Sequence, residues 1–81
     1  MNTEIVRDPY NTAVASVLND AYKRLNSPMT RLVQATGKSK NTVLRYLAGE
    51  RDIRVAELKK FAGALELSLG DIFAEADRRV D

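Results

Sequence analysis

Apolar residues recur at three- and four-residue steps over most of the chain, which is the spacing of one face of an α-helix. Asp8 is placed to cap a first helix, and Pro9 suits its first turn. The apolar positions that follow, up to the break at Asn26-Ser27-Pro28, are Val14, Val17, Leu18, Ala21 and Leu25. This pattern predicts a helix of about four turns.

Two short helices are predicted on either side of Gly37. The first spans Met29–Thr36, and the second spans Lys40–Ala48 with Ser39 as its cap. Gly37 and Gly49 each follow a helix, where glycine tolerates the left-handed conformation that often ends one. The residues of these two helices expected to face inward are Leu32, Val33, Val43, Tyr46 and Leu47.

The second half of the chain predicts two more helices. A fourth helix follows the polar loop 50–53, with Asp52 or a neighbour as its cap. A fifth starts at the capping motif Ser68-Leu69-Gly70-Asp71 and continues to about Ala76. The residues expected to be buried are Val55, Leu58, Phe61, Ala62, Leu65, Ile72 and Phe73.

The predicted fold is therefore all-α, with five helices around one core, because no run of alternating β-branched residues is long enough for a strand. At 81 residues the chain is expected to be a single domain. Its core is expected to span about 9–76, with a flexible arm at 1–7 and a charged, fraying tail at 77–81.

The composition excludes several classes of function. The chain has no cysteine and no histidine, so it offers neither a disulfide framework nor thiolate or imidazole zinc ligands, and no histidine for acid–base catalysis. Glu50 and Asp52 lie in a polar loop with nothing apolar to raise a pKa, so catalytic residues are not expected. No segment is apolar enough to cross a membrane. We expect a binding protein without metal, cofactor or small-molecule ligand.

The charge is unevenly distributed along the chain. Residues 23–60 contain ten basic and three acidic side chains, a net charge of +7, whereas the two flanks together carry −5. A basic middle between acidic ends favours one surface that attracts a polyanion, although scattered solvated lysines and arginines would give the same count.

The two short helices around Gly37 form a helix-turn-helix unit, in which the second helix can enter the major groove of DNA. If Val43, Tyr46 and Leu47 face inward, the opposite face carries side chains suited to base edges. Arginine and lysine pair with guanine, asparagine pairs with adenine, and leucine packs on a thymine methyl. The residues predicted on this face are Lys40, Asn41, Leu44 and Arg45.

The segment from Met29 to Arg51 resembles the Cro/CI-type (Xre-like) helix-turn-helix of phage repressors and bacterial regulators. The resemblance continues from Ala56 to the ending Leu67-Ser68-Leu69-Gly70-Asp71-Ile72-Phe73. It implies a compact five-helix, lambda-repressor-like domain that binds double-stranded operator DNA. Met29 departs from the pattern, because the family commonly has glutamine at this position.

The resemblance also assigns candidate DNA contacts residue by residue. Ser39 joins Lys40, Asn41, Leu44 and Arg45 as a base-contacting position. The positions expected to contact phosphate are Thr30, Arg31, Lys38, Thr42, Arg51 and Arg54. The backbone amide at the start of the second helix is also expected at a phosphate.

The sequence thus predicts a sequence-specific transcriptional regulator, most simply a phage or prophage repressor that blocks a promoter in the bacterial cytoplasm. Two alternatives remain open. The domain could be an antitoxin whose flexible tail, Glu75–Asp81, binds a partner protein, or the DNA-binding domain of a longer repressor. Self-association is also open: either a monomer or a weak homodimer is consistent with the absence of a coiled-coil heptad.

Overall fold

The computed structural model of the protein describes residues 8–80, and all regular structure among these residues is helical. This confirms the all-α prediction. The arm expected at residues 1–7 lies outside the described residues, as does Asp81. The five helices are α1 (Pro9–Arg24), α2 (Met29–Thr36), α3 (Lys40–Leu47), α4 (Val55–Ala64) and α5 (Leu69–Arg79).

Side chains cap the first, third and fifth helices at their N-termini. Asp8, Ser39 and Ser68 each accept a hydrogen bond from a backbone N–H of the first turn, as the sequence predicts. Helix α4 begins after Arg54 rather than Asp52, and neither α2 nor α4 has a side-chain cap. The first amide groups of α2 and α4 are therefore available to an external acceptor.

Three helices end in the same hydrogen-bonded loop, although only one of them uses glycine. After α1, α3 and α4, the residues with positive φ are Asn26 (52°), Gly49 (77°) and Glu66 (60°). In each loop the next amide donates back to a carbonyl five residues earlier, at 3.2, 3.0 and 2.9 Å, which is the Schellman arrangement. The sequence also predicts the break after α1 at Asn26-Ser27-Pro28, but of these three loops it predicts a left-handed residue only at Gly49, because asparagine and glutamate are weaker signals of that conformation than glycine.

The core lies where α1 packs along α5 and α2 packs along α4, with α3 against both α1 and α2. Tyr46 and Phe61 meet edge to face near its centre, with ring centroids 5.8 Å apart. The largest fully buried side chains are Leu18, Leu32, Val43, Phe61, Leu65 and Ile72. The predicted apolar faces of α2 and α3 are thus confirmed at their central positions.

Three residues expected inside are instead exposed. Phe73 is 36% exposed, because it lies one residue around α5 from the inward-facing Ile72 and stacks on the ring of Tyr10 at the edge of the core. Val55 is the first residue of α4, and Leu25 follows the last residue of α1. Both are exposed because they lie at helix ends, beyond the residues that pack against the core. Periodicity predicts the face of a residue but not whether a neighbouring element covers it.

Helix α5 continues past its expected end at Ala76 to Arg79. The Arg79 guanidinium donates to Glu75 one turn earlier at 3.1 Å, and to Asp20 and Ser16 on α1 at 2.7 and 2.8 Å. These contacts raise the pKa of Arg79, and the hydrogen bond to Asp20 has the largest effect. The segment predicted to fray as a tail is therefore helical as far as Arg79, and Arg79 attaches α5 to α1.

Candidate nucleic-acid interface

The turn between α2 and α3 is held by a buried threonine and a glycine. The Thr36 hydroxyl donates to the Leu32 carbonyl at 2.7 Å and accepts from the Lys38 amide at 3.2 Å. Gly37 takes φ = 70°, and its amide donates to the Val33 carbonyl at 2.9 Å. This geometry reverses the chain within three residues and fixes the start of α3 against α2.

Helix α3 separates sharply into a buried and an exposed face. Val43, Tyr46 and Leu47 are buried where α3 packs against α1 and α2, and Tyr46 also meets Phe61 of α4. With eight residues at about 1.5 Å each, the helix is roughly 12 Å long. An α-helix with its side chains is about 10–12 Å in diameter, so α3 is narrow enough to enter the major groove of B-DNA, which is about 12 Å wide.

The four side chains predicted to read bases all lie on the exposed face: Lys40, Asn41, Leu44 and Arg45. At about 100° per residue they cover an arc of roughly 140°. Leu44 is 43% exposed, so an apolar side chain faces solvent between polar neighbours. Among residues 8–80, neither Lys40 nor Arg45 has a carboxylate within 4.0 Å. Within this part of the chain, no ion pair competes with an external anion or base edge for either cation.

Ser39 and Thr42 have more restricted hydrogen-bonding capacity than the sequence suggests. The Ser39 hydroxyl accepts from the Thr42 amide at 3.2 Å and donates to the Thr42 hydroxyl at 3.0 Å. Ser39 therefore keeps only an acceptor for DNA, which suits the amino group of cytosine or adenine. The Thr42 hydroxyl keeps its own proton, which suits donation to a phosphate oxygen.

The loop between α3 and α4 carries Arg51 and Arg54, and it is attached to α1 by Asn11. The side-chain amide of Asn11 donates to the Arg51 carbonyl at 2.8 Å and accepts from the Ile53 amide at 2.9 Å. Ile53 also packs against the core. Sequence analysis missed Asn11, because its partners lie about 40 residues away and an isolated asparagine in a helix carries no motif.

Three of the expected phosphate contacts, Lys38, Arg51 and Arg54, line one surface pocket beside the start of α4. Tyr46 also lines it, although its ring is buried, and Asp52 and Glu57 supply negative charge at the same place. The structure thus brings together basic residues from the helix-turn-helix turn and from the following loop. They lie next to the uncapped N-terminus of α4, whose helix dipole also favours an anion.

Two further expected phosphate contacts, Thr30 and Arg31, are exposed in the first turn of α2. Arg31 lies 3.9 Å from Glu66, with both side chains more than half exposed. An exposed pair at this distance contributes little, about 0–1 kcal/mol, so it competes weakly with a phosphate. Met29 is half buried and packs against the core rather than presenting a polar group.

The bundle, the short α2–turn–α3 unit and the exposed polar face of α3 define a helix-turn-helix protein. Residues 23–74 match the family model described as the Cro/C1-type HTH DNA-binding domain, which covers more than half of the chain. The protein belongs to this family, as its sequence pattern predicts, and is a DNA-binding transcriptional regulator. Neither the curated proteins nor the solved structures yield a match to the chain. No helix among residues 8–80 has the length and apolarity required to cross a membrane.

Proposed function

We propose that the protein is a sequence-specific repressor of Cro/CI type, from a phage, prophage or bacterium, that blocks a promoter by placing α3 in the major groove. The observation that carries the proposal is the exposed face of α3, where Lys40 and Arg45, neither of them paired with a carboxylate of residues 8–80, flank Asn41 and Leu44. The opposite face of the same helix is fixed in the core, so the exposed face is presented rigidly. A rigid helix face is suited to reading base edges.

Base contacts are proposed for Lys40, Asn41, Leu44 and Arg45, with Ser39 accepting from a base amino group. Phosphate contacts would supply most of the affinity and fix the orientation of the domain on the duplex. The residues proposed for this role are Thr30, Arg31, Lys38, Thr42, Arg51 and Arg54. The uncapped starts of α2 and α4 support it, because their free amides can also donate to phosphate oxygens.

The alternative of an antitoxin with a flexible partner-binding tail has less support. Of the segment considered for that role, Glu75–Asp81, residues 75–79 belong to α5 and are attached to α1 through Arg79. A segment held in this way would have to detach before it could wrap a partner.

The proposal is tested by selecting binding sites from random duplexes with the purified protein and titrating salt on the selected site. We expect one enriched motif, bound at least about 10³-fold more tightly than scrambled duplex. We also expect the affinity to fall steeply with salt. Equal binding of selected and scrambled duplexes would overturn sequence specificity. A palindromic motif bound by two chains would establish a homodimer on DNA, and an asymmetric motif bound by one chain a monomer.

Promoter blocking is tested separately. A footprint over the selected site in its natural promoter, together with loss of polymerase binding when the protein is present, is the expected result. Simultaneous occupancy by protein and polymerase would contradict the steric mechanism.

A further inference from the structure

A single side chain of α1 holds the loop that carries two of the proposed phosphate-contacting arginines. Asn11 uses both ends of its amide, donating to the Arg51 carbonyl at 2.8 Å and accepting from the Ile53 amide at 2.9 Å. Both bonds are made to the backbone, on either side of Asp52. The side chain therefore fixes the path of the loop rather than the rotamer of one residue.

Asn11 lies outside residues 23–74, the segment that matches the family model. Helix α1 is itself fixed at both ends: Asp8 caps its start, and Arg79 of α5 binds Asp20 in its fourth turn. The Asn11 amide is thus a rigid anchor. The loop itself contains no helix or strand between Gly49 and Val55, so its shape depends on contacts of this kind.

We propose that Asn11 is a positioning residue for DNA binding: it preorganises loop 50–54 so that Arg51 and Arg54 meet the phosphate backbone without first having to be ordered. This inference rests on the proposed phosphate role of the two arginines. Ordering flexible side chains and loops at an interface lowers affinity, and a loop already held in its bound shape avoids that loss. In this proposal Asn11 acts through the loop backbone, to which both ends of its amide are hydrogen-bonded, rather than through a DNA contact of its own.

The test is a mutant cycle in the full chain, with affinity for the selected duplex as the readout. Asn11→Ala is introduced into the wild-type protein and into the variant Arg51→Ala/Arg54→Ala. Alanine is the best helix former, so α1 itself is not expected to be weakened. In the wild-type background we expect the Kd to rise about three- to tenfold. In the background that lacks both arginines we expect no further rise.

The matched control is Asn19→Ala, which removes another half-buried asparagine from the same helix and is expected to leave the Kd unchanged in both backgrounds. Equal weakening by Asn11→Ala in the two backgrounds would show a merely structural role, and an unchanged Kd in the wild-type background would also overturn the inference. Failure of the wild-type protein itself to prefer the selected duplex would instead overturn the proposed function.

A second measurement does not depend on DNA. The Ile53 amide is hydrogen-bonded to Asn11, so its hydrogen exchange is expected to accelerate in Asn11→Ala, while amides in the core of α3 such as Val43 exchange as in the wild type. Unchanged protection of Ile53 would refute the anchoring of the loop. Accelerated exchange throughout the protein would show that Asn11→Ala destabilises the whole fold, and it would refute the positioning role.

Discussion

Replacing Arg45 by alanine is expected to separate base reading from general attraction to DNA. Arg45 is exposed in the last turn of α3, and among residues 8–80 it has no carboxylate within 4.0 Å. The substitution therefore breaks no ion pair within that part of the protein. It loses a favourable charge at a helix C-terminus, and the better helix propensity of alanine partly offsets this loss. We expect the free energy of unfolding to change by less than about 0.5 kcal/mol.

The effect on binding is expected to be much larger on the selected site. A bidentate arginine–guanine contact contributes about 1–3 kcal/mol of discrimination, which raises the Kd roughly 5- to 150-fold. The affinity for scrambled duplex should fall only by the effect of losing one positive charge. The preference at a single base pair should disappear, and preferences at the other positions should remain.

The assay is a fluorescence anisotropy titration of the selected duplex, a scrambled duplex and a set of single base-pair variants. Lys59→Ala is the control, because it removes one positive charge from an exposed position of α4 that is not part of the predicted base-reading face. If Arg45→Ala weakened binding to selected and scrambled duplexes by the same factor, Arg45 would be a phosphate contact and the assignment of the α3 face would be wrong.

Three further outcomes are expected. Arg51→Ala should weaken binding to the selected and the scrambled duplex alike, and it should reduce the slope of log K against log salt by about 0.9. An unchanged slope would contradict the phosphate role of Arg51. Gly37→Ala should destabilise the fold by about 1–2 kcal/mol through its left-handed backbone alone, since an added Cβ meets no atom within 4 Å. Gly63→Ala, at an exposed position of α4, should instead stabilise the fold by about 0.5–1 kcal/mol. Thermal unfolding of the two variants checks both signs. Hydrogen bonds from Arg78 and Arg79 lower the pKa of Glu75, so its contribution to stability is present above the ordinary carboxyl pKa and is lost as the pH falls through the lowered value. Glu75→Gln should therefore lower the Tm at neutral pH and match the wild type in strong acid; a difference that persists in acid would contradict this.

Local sequence signals predicted the parts of the fold whose determinants lie close together in the chain. The caps Asp8, Ser39 and Ser68, and the left-handed turns at Gly37 and Gly49, act within a few residues, so they can be read without knowing the fold. The same applies to the two faces of α3. A period of 3.6 residues places Val43 and Leu47 opposite the polar positions, whatever packs against them.

Tertiary structure alone decided the features that depend on contacts between distant segments. Phe73 follows the helical period but remains at the surface beside Tyr10, because no further element among residues 8–80 covers that edge. Arg79 extends α5 because Ser16 and Asp20 lie opposite it on α1. The hold of Asn11 on the α3–α4 loop likewise joins residues about 40 positions apart. The sequence includes these residues but does not show which of them come close in space, because those distances are set only when the helices pack.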